Sequence, residues 1–189
     1  NTIAIIDQIG QFIEAHATKK GTAAFGGSIH KSRDPEARAA IARAVFPYLR
    51  GAVSRKQRWI GSFTDAPDVL EFVNSAQAKK LAHLGTSCPD HFIRTKIRPM
   101  YIEWDPTGDV KQLPAHIEAS LETYRKEYAE YYNAHALPTS PKMRDASPTV
   151  VLVPGVGMFT FGKNKTESRL TGEFYTNAIH VMQGAGSLG

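Results

Sequence analysis

The sequence predicts an α/β protein, and three observations predict it. Helical patterns alternate with short apolar runs along most of the chain. One of those runs, 149–154 (TVVLVP), is continuous and β-branched, which fits a strand buried on both faces. The composition is that of an ordinary globular domain: 189 residues, 42% hydrophobic, 10% aromatic and 22% charged. The single cysteine leaves no intramolecular disulfide, and no apolar run approaches the roughly 18 residues needed to cross a bilayer.

Residues 1–16 open the chain as a helix, with Ile5, Ile6, Ile9, Phe12 and Ile13 at helical spacing. No cap precedes it and no initiator methionine is present, so it reads as part of a longer chain. Residues 17–33 are rich in Gly, Ala, Ser and Lys without a period, the pattern of a linker or surface loop. Asp34 then caps a helix with Pro35 in its first turn; it runs to Gly51 with Ile41, Val45, Tyr48 and Leu49 on its apolar face. A short strand is expected at 58–63 (RWIGSF), a helix at 66–75 behind an Asp65 cap, and another at 77–84 closing at Gly85. Residues 100–104 (MYIEW) alternate apolar and polar and lead into an Asp105-Pro106-Thr107-Gly108 turn. The longest helical pattern, 114–133, aligns Ile117, Leu121, Tyr124, Tyr128 and Tyr131. The run at 149–154 turns at Gly155-Val156-Gly157 into a partner strand at 158–161, and a last helix spans 167–182 before a glycine-rich end.

Net charge is +5, from 23 Lys and Arg against 18 Asp and Glu. The cations fall in scattered pairs with acids nearby, and no basic stripe with interleaved aromatics forms, so nucleic acid is not an expected partner. The start lacks the basic and small-residue pattern of a secretory signal, which makes the cytoplasm the expected compartment.

The densest chemistry lies at 85–98 (GTSCPDHFIRTKIR). If Ser87 caps a helix beginning at Pro89, the first-turn amides and dipole would favour an anion, with Thr86, Ser87, His91, Arg94 and Lys96 as its partners. The structural alternative is a capped helix followed by a basic approach to a strand. Cys88 and His91 share a helical face, and His83 is a third candidate ligand, but no second cysteine, His-x-His or Glu-x-x-His accompanies them. No metal site is therefore expected. Pro154-Gly155-Val156-Gly157 follows a strand as a phosphate loop does, yet lacks the third glycine of a dinucleotide motif and the Gly-Lys of a P-loop. A tight hairpin is the alternative. The tyrosines of the long helix suit packing against a neighbouring subunit or domain.

Three stretches carry a family resemblance: 84–106 (LGTSCPDHFIRTKIRPMYIEWDP), 138–185 (PTSPKMRDASPTVVLVPGVGMFTFGKNKTESRLTGEFYTNAIHVMQGA) and 66–75 (APDVLEFVNS). They closely resemble the bifunctional class II aldolase/short-chain dehydrogenase family, which includes the rhamnulose-1-phosphate aldolase/lactaldehyde dehydrogenase type. The resemblance implies an aldolase module before this chain and a Rossmann dehydrogenase after it, with this chain as the middle region. It divides the chain into 1–18, the closing helix of the preceding module, 19–33, a linker, and 34–189, an aldolase-like domain. Zinc and NAD are implied for the longer protein and neither for this segment; no catalytic residue carries over. A second likeness reaches class II aldolases themselves. Thr86-Ser87 with 100–109 (MYIEWDPTGD) resembles their phosphate loop and following strand, and 149–182 resembles their final hairpin and helix. The resemblance puts their last zinc histidine near Val156, where this chain has none.

The fold this implies is a class II aldolase/adducin-like layered α/β fold, a mixed sheet flanked by helices, in degenerate or truncated form. The function implied is a non-catalytic scaffold or oligomerisation unit in a sugar-metabolising aldolase/dehydrogenase. A phosphate or carboxylate site at 86–96 is the alternative. The flanking domains and a homo-oligomer are the expected partners.

Overall fold

The computed structural model describes residues 1–17, 23–86 and 88–188. Among the described residues four strands form one mixed sheet: β1 (Ile60–Thr64), β2 (Met100–Tyr101), β3 (Val150–Val153) and β4 (Gly157–Gly162), in the order β1-β4-β3-β2. β3 and β4 are an antiparallel hairpin, β1 pairs antiparallel with β4, and β2 pairs parallel with β3.

Helices cover both faces of that sheet, and the side-chain alternation of the hairpin shows why. Val151, Val153, Phe159 and Phe161 point into one core with α2 (Pro35–Val53) and α6 (Leu113–His135), where Leu49, Ile117 and Leu121 are fully buried. Val150, Leu152 and Met158 point into the other, against α3 (Pro67–Val73), α4 (Ala78–Ala82) and α7 (Lys165–Gly186), with Phe72, Tyr175 and Ile179. All of β3 and β4 is buried, as the unbroken apolar run at 149–154 requires.

The local signals place most elements. Asp34 caps α2, accepting from the Ala37 N–H at 2.8 Å with Pro35 in the first turn. Asn164 caps α7 in the same way through Glu167. α7 runs on to Gly186, four residues past the expected end at 182. Only Met100 and Tyr101 pair as β2, yet the alternation persists, with Met100, Ile102 and Trp104 buried.

Several expectations are corrected. Asn1 itself caps α1 (Thr2–His16), accepting from the Ile3 N–H at 3.2 Å. None of the residues of α1 is buried, and Ile5, Ile6, Ile9 and Phe12 are all more than half exposed. Residues 23–33 are not a free linker: Phe25 is buried against Phe72, and the Ile29 and His30 N–H groups both donate to the Asn74 carbonyl. α3 begins behind Ala66 without a side-chain cap; Asp65 instead pairs with Arg38 at 2.9 Å. Tyr48, placed on the apolar face of α2, is 40% exposed because its hydroxyl reaches out to donate to Glu118 at 2.9 Å. Among the described residues no helix is long and apolar enough to cross a membrane.

Gly51 lies in the last turn of α2 with open space where a Cβ would stand. Gly51→Ala is therefore expected to stabilise the fold by about 0.5 kcal/mol through backbone entropy. A higher urea midpoint with an unchanged slope checks it.

Candidate functional site

The segment after α4 builds a short helix, α5 (Pro89–Thr95), packed on α7. Cys88 occupies its cap position without a side-chain bond to the first-turn amides. Ser87, the expected cap, lies outside the described residues. Thr86 Oγ1 donates to the Cys88 carbonyl at 3.2 Å, so its hydroxyl is engaged locally. His91 rests its ring 4.7 Å from that of Phe174 on α7, and its Nδ1 is buried without a hydrogen-bond partner. Arg94 reaches Glu167, at the start of α7, at 3.0 Å.

Lys96 goes the other way. Its backbone has φ 60 and ψ −172, a conformation that favours glycine, and the residue is 4% exposed. Its ammonium donates to the Asp145 carbonyl and sits 4.2 Å from the centre of the Tyr128 ring on α6. Burial pushes its pKa down to about 7, opposed by the Asp145 carboxylate and assisted by the charge of Arg144. His91 and Arg94 thus face α7 while Lys96 faces α6 and the segment before β3. The structure does not gather these side chains around one point.

A tighter arrangement surrounds Pro154-Gly155-Val156-Gly157. The turn joins β3 to β4, with the Val156 N–H donating to the Val153 carbonyl at 3.1 Å. Gly155 has φ 72; its N–H donates to Asn74 Oδ1 at 2.6 Å and its carbonyl accepts from the Arg33 N–H at 3.1 Å. Asn74 Nδ2 donates in turn to Ser32 Oγ at 2.8 Å. Arg33 closes the cluster: its Nε donates to the Pro106 carbonyl at 2.7 Å, one terminal nitrogen donates to the Gly108 carbonyl at 2.9 Å, and the guanidinium lies over Trp104. Asn74 and Arg33 are residues that sequence reading missed. Their partners lie 42 to 122 positions away, and no local pattern signals such contacts.

The turn is a hairpin connection between antiparallel strands, not the strand-to-helix turn a dinucleotide loop needs. Zinc does not fit it either. Val156, at the place where the resemblance puts a zinc histidine, is fully buried in the apolar core with Trp104 and Phe159. Among the described residues no three His, Cys, Asp or Glu side chains are placed to hold a metal ion.

The Arg94–Glu167 pair is partly exposed, with the Arg94 side chain at 39%. Arg94→Ala is expected to cost less than about 1 kcal/mol. It is further expected to leave inorganic phosphate binding unchanged in a calorimetric titration, since that guanidinium already has its anion.

The sequence profile of the family described as aldolase class II, second domain, matches residues 40–189. Over 189 residues the chain is 39% identical to a Bacillus subtilis (strain 168) protein named uncharacterized oxidoreductase YuxG, covering 100% of this chain and 27% of that relative. No solved structure matches the chain.

Proposed function

We infer the function from one premise: the chain belongs to the aldolase class II second-domain family. It acts as a non-catalytic middle segment of a longer protein and serves there as scaffold or oligomerisation unit between a sugar-phosphate aldolase and an NAD-dependent short-chain dehydrogenase. Two findings support placing it in a longer protein. The chain spans 27% of the length of its relative, and that relative is named an oxidoreductase. Residues 1–18 then belong to the preceding module, 19–33 connect it, and 34–189 form the segment proper. Zinc and NAD fall to the flanking modules.

The observation that carries the scaffold reading is how the chemically promising groups are used. Arg94 is tied to Glu167, Lys96 to Asp145 and Tyr128, and Arg33 and Asn74 to the β3–β4 turn. Each joins elements distant in sequence, as struts do, and pairing polar groups across elements in this way favours one packing arrangement.

Thermal melting tests this. A ligand that binds only the folded state raises the midpoint with its occupancy. The expected result is no shift with zinc, with NAD or with dihydroxyacetone phosphate. A shift with the phosphate ester alone supports a small-molecule site at Thr86–Lys96 instead, and a shift with zinc overturns the ligand assignment.

A further inference from the structure

α1 carries a single apolar stripe. At helical spacing Ile5, Ile6, Ile9, Phe12 and Ile13 share one face, with Asp7, Gln11 and Glu14 on the other. All five apolar side chains are exposed. A helix of this length is marginal in water by itself and takes its stability from what its apolar face packs on.

A groove that suits such a face lies between residues 23–26, α4 with the turn after it, and the end of α7. Its volume is about 620 Å³, and Phe25, Leu81, Leu84 and Met182 line it. Leu84 is 70% exposed, more than any other large apolar side chain among the described residues.

Two observations join stripe and groove. The first is reach. Ala23 and Ala24 themselves line the groove, and Ala17, the cap of α1, lies only six positions before Ala23. Six residues span at most about 20 Å, so the last turn of α1 is held beside the groove at an effective concentration on the order of millimolar. The second is charge. α1 contains Asp7 and Glu14 and no Lys or Arg, whereas α4, a wall of the groove, contributes Lys79 and Lys80. Lys79 pairs with Glu103, while Lys80 has no ion-pair partner among the described residues.

We propose that α1 docks its isoleucine face into this groove of its own chain, as a strap that closes over the end of α7. Ile5, Ile9, Phe12 and Ile13 have the spacing by which an amphipathic helix seats in an apolar groove. The structure holds the strap open, with none of its residues buried. Closed, it lies against Met182 and the last turn of α7, where Gly184 and Gly186 weaken the helix and a packed neighbour steadies it. Where α1 closes a preceding module, as proposed above, the strap also holds that module to this segment, but the docking itself does not rest on that reading.

Hydrogen exchange on the full chain tests the contact. Docking is expected to slow exchange of the α1 amides by about tenfold or more relative to a free helix. Ile9→Asp puts a charge at the centre of the stripe and Leu84→Asp puts one in the groove. Each is expected to return α1 to free-helix rates and to leave β3 and β4 unchanged, since both side chains are exposed in the open form. Proximity is read by Ile9→Cys with Gln183→Cys in a Cys88→Ser background, joined by a short bismaleimide. A crosslink within one chain is expected, at a rate independent of concentration. Gln11→Cys, on the opposite face of α1, is expected to crosslink to the same position about tenfold more slowly. Wild-type α1 amides that exchange at free-helix rates overturn the proposal. So does a crosslink confined to the dimer band, which gives the stripe to a second copy, and so do equal rates for Ile9→Cys and Gln11→Cys, which leave α1 tethered but undocked.

Discussion

Gly155→Ala is expected to destabilise the protein by about 3 kcal/mol or more, which for a chain of this size lowers the melting midpoint by roughly 6 °C or more. Two costs add. Gly155 has φ 72, where an L side chain loses about 1 kcal/mol against glycine, and an added Cβ would stand 2.2 Å from the Pro106 Cβ. That neighbour cannot yield by rotation, because its ring sits in a turn held by Arg33 on the Pro106 and Gly108 carbonyls. Moving the hairpin instead breaks the bonds from the Gly155 N–H to Asn74 and from Arg33 to the Gly155 carbonyl. Gly184→Ala is the control. Gly184 is helical with nothing within 4 Å of its Cβ position, so there the same added methyl is expected to be neutral or slightly stabilising. Chemical denaturation of both variants checks the pair; equal behaviour would show that the turn carries no such constraint.

That turn also marks how far the sequence could be read. The β-branched run, the glycine turn and the Asp34-Pro35 helix start are local signals, and the elements they announce are where they announce them. Their physical cause lies within a few residues of each: a capping oxygen, a fixed φ, a side-chain period. What escaped is non-local. Asp65 has the composition of a cap, but Arg38, 27 positions earlier, claims its carboxylate. The residues at 23–33 lack a period because they bury one ring, Phe25, and otherwise bond at scattered points to Asn74, Pro106, Gly108 and Gly155. The candidate anion residues are close in sequence, and the backbone at Lys96 sends that side chain away from Arg94. Spacing alone cannot show a φ of 60 at a lysine.

Lys96 gives the second large effect, and its sign follows from proton linkage. In the fold its pKa falls from 10.5 to about 7, so between these values the unfolded chain binds a proton that the folded chain does not. Stability is therefore expected to rise with pH from about 7 to about 9 and to carry the full burial penalty below 7; nearer pH 10 the buried tyrosines, whose ionisation the fold resists, oppose the rise. The window of roughly three pKa units corresponds to about 3–5 kcal/mol. Lys96→Met keeps the apolar stem and removes the titration, so its unfolding free energy is expected to be flat across the same window. Its gain at pH 7 is smaller than the penalty removed, about 1–2 kcal/mol, because the Asp145 carbonyl loses its donor. Lys96→Gly separates charge from backbone. It abolishes the pH slope too, and releases the strain of φ 60 while leaving the space beside Tyr128 unfilled. Denaturant titrations from pH 6 to pH 10 decide the matter. A wild-type stability that does not climb above pH 7, or a Lys96→Met variant that climbs in parallel with it, would mean that this ammonium is solvated and that the strut between the Asp145 segment and α6 is not there.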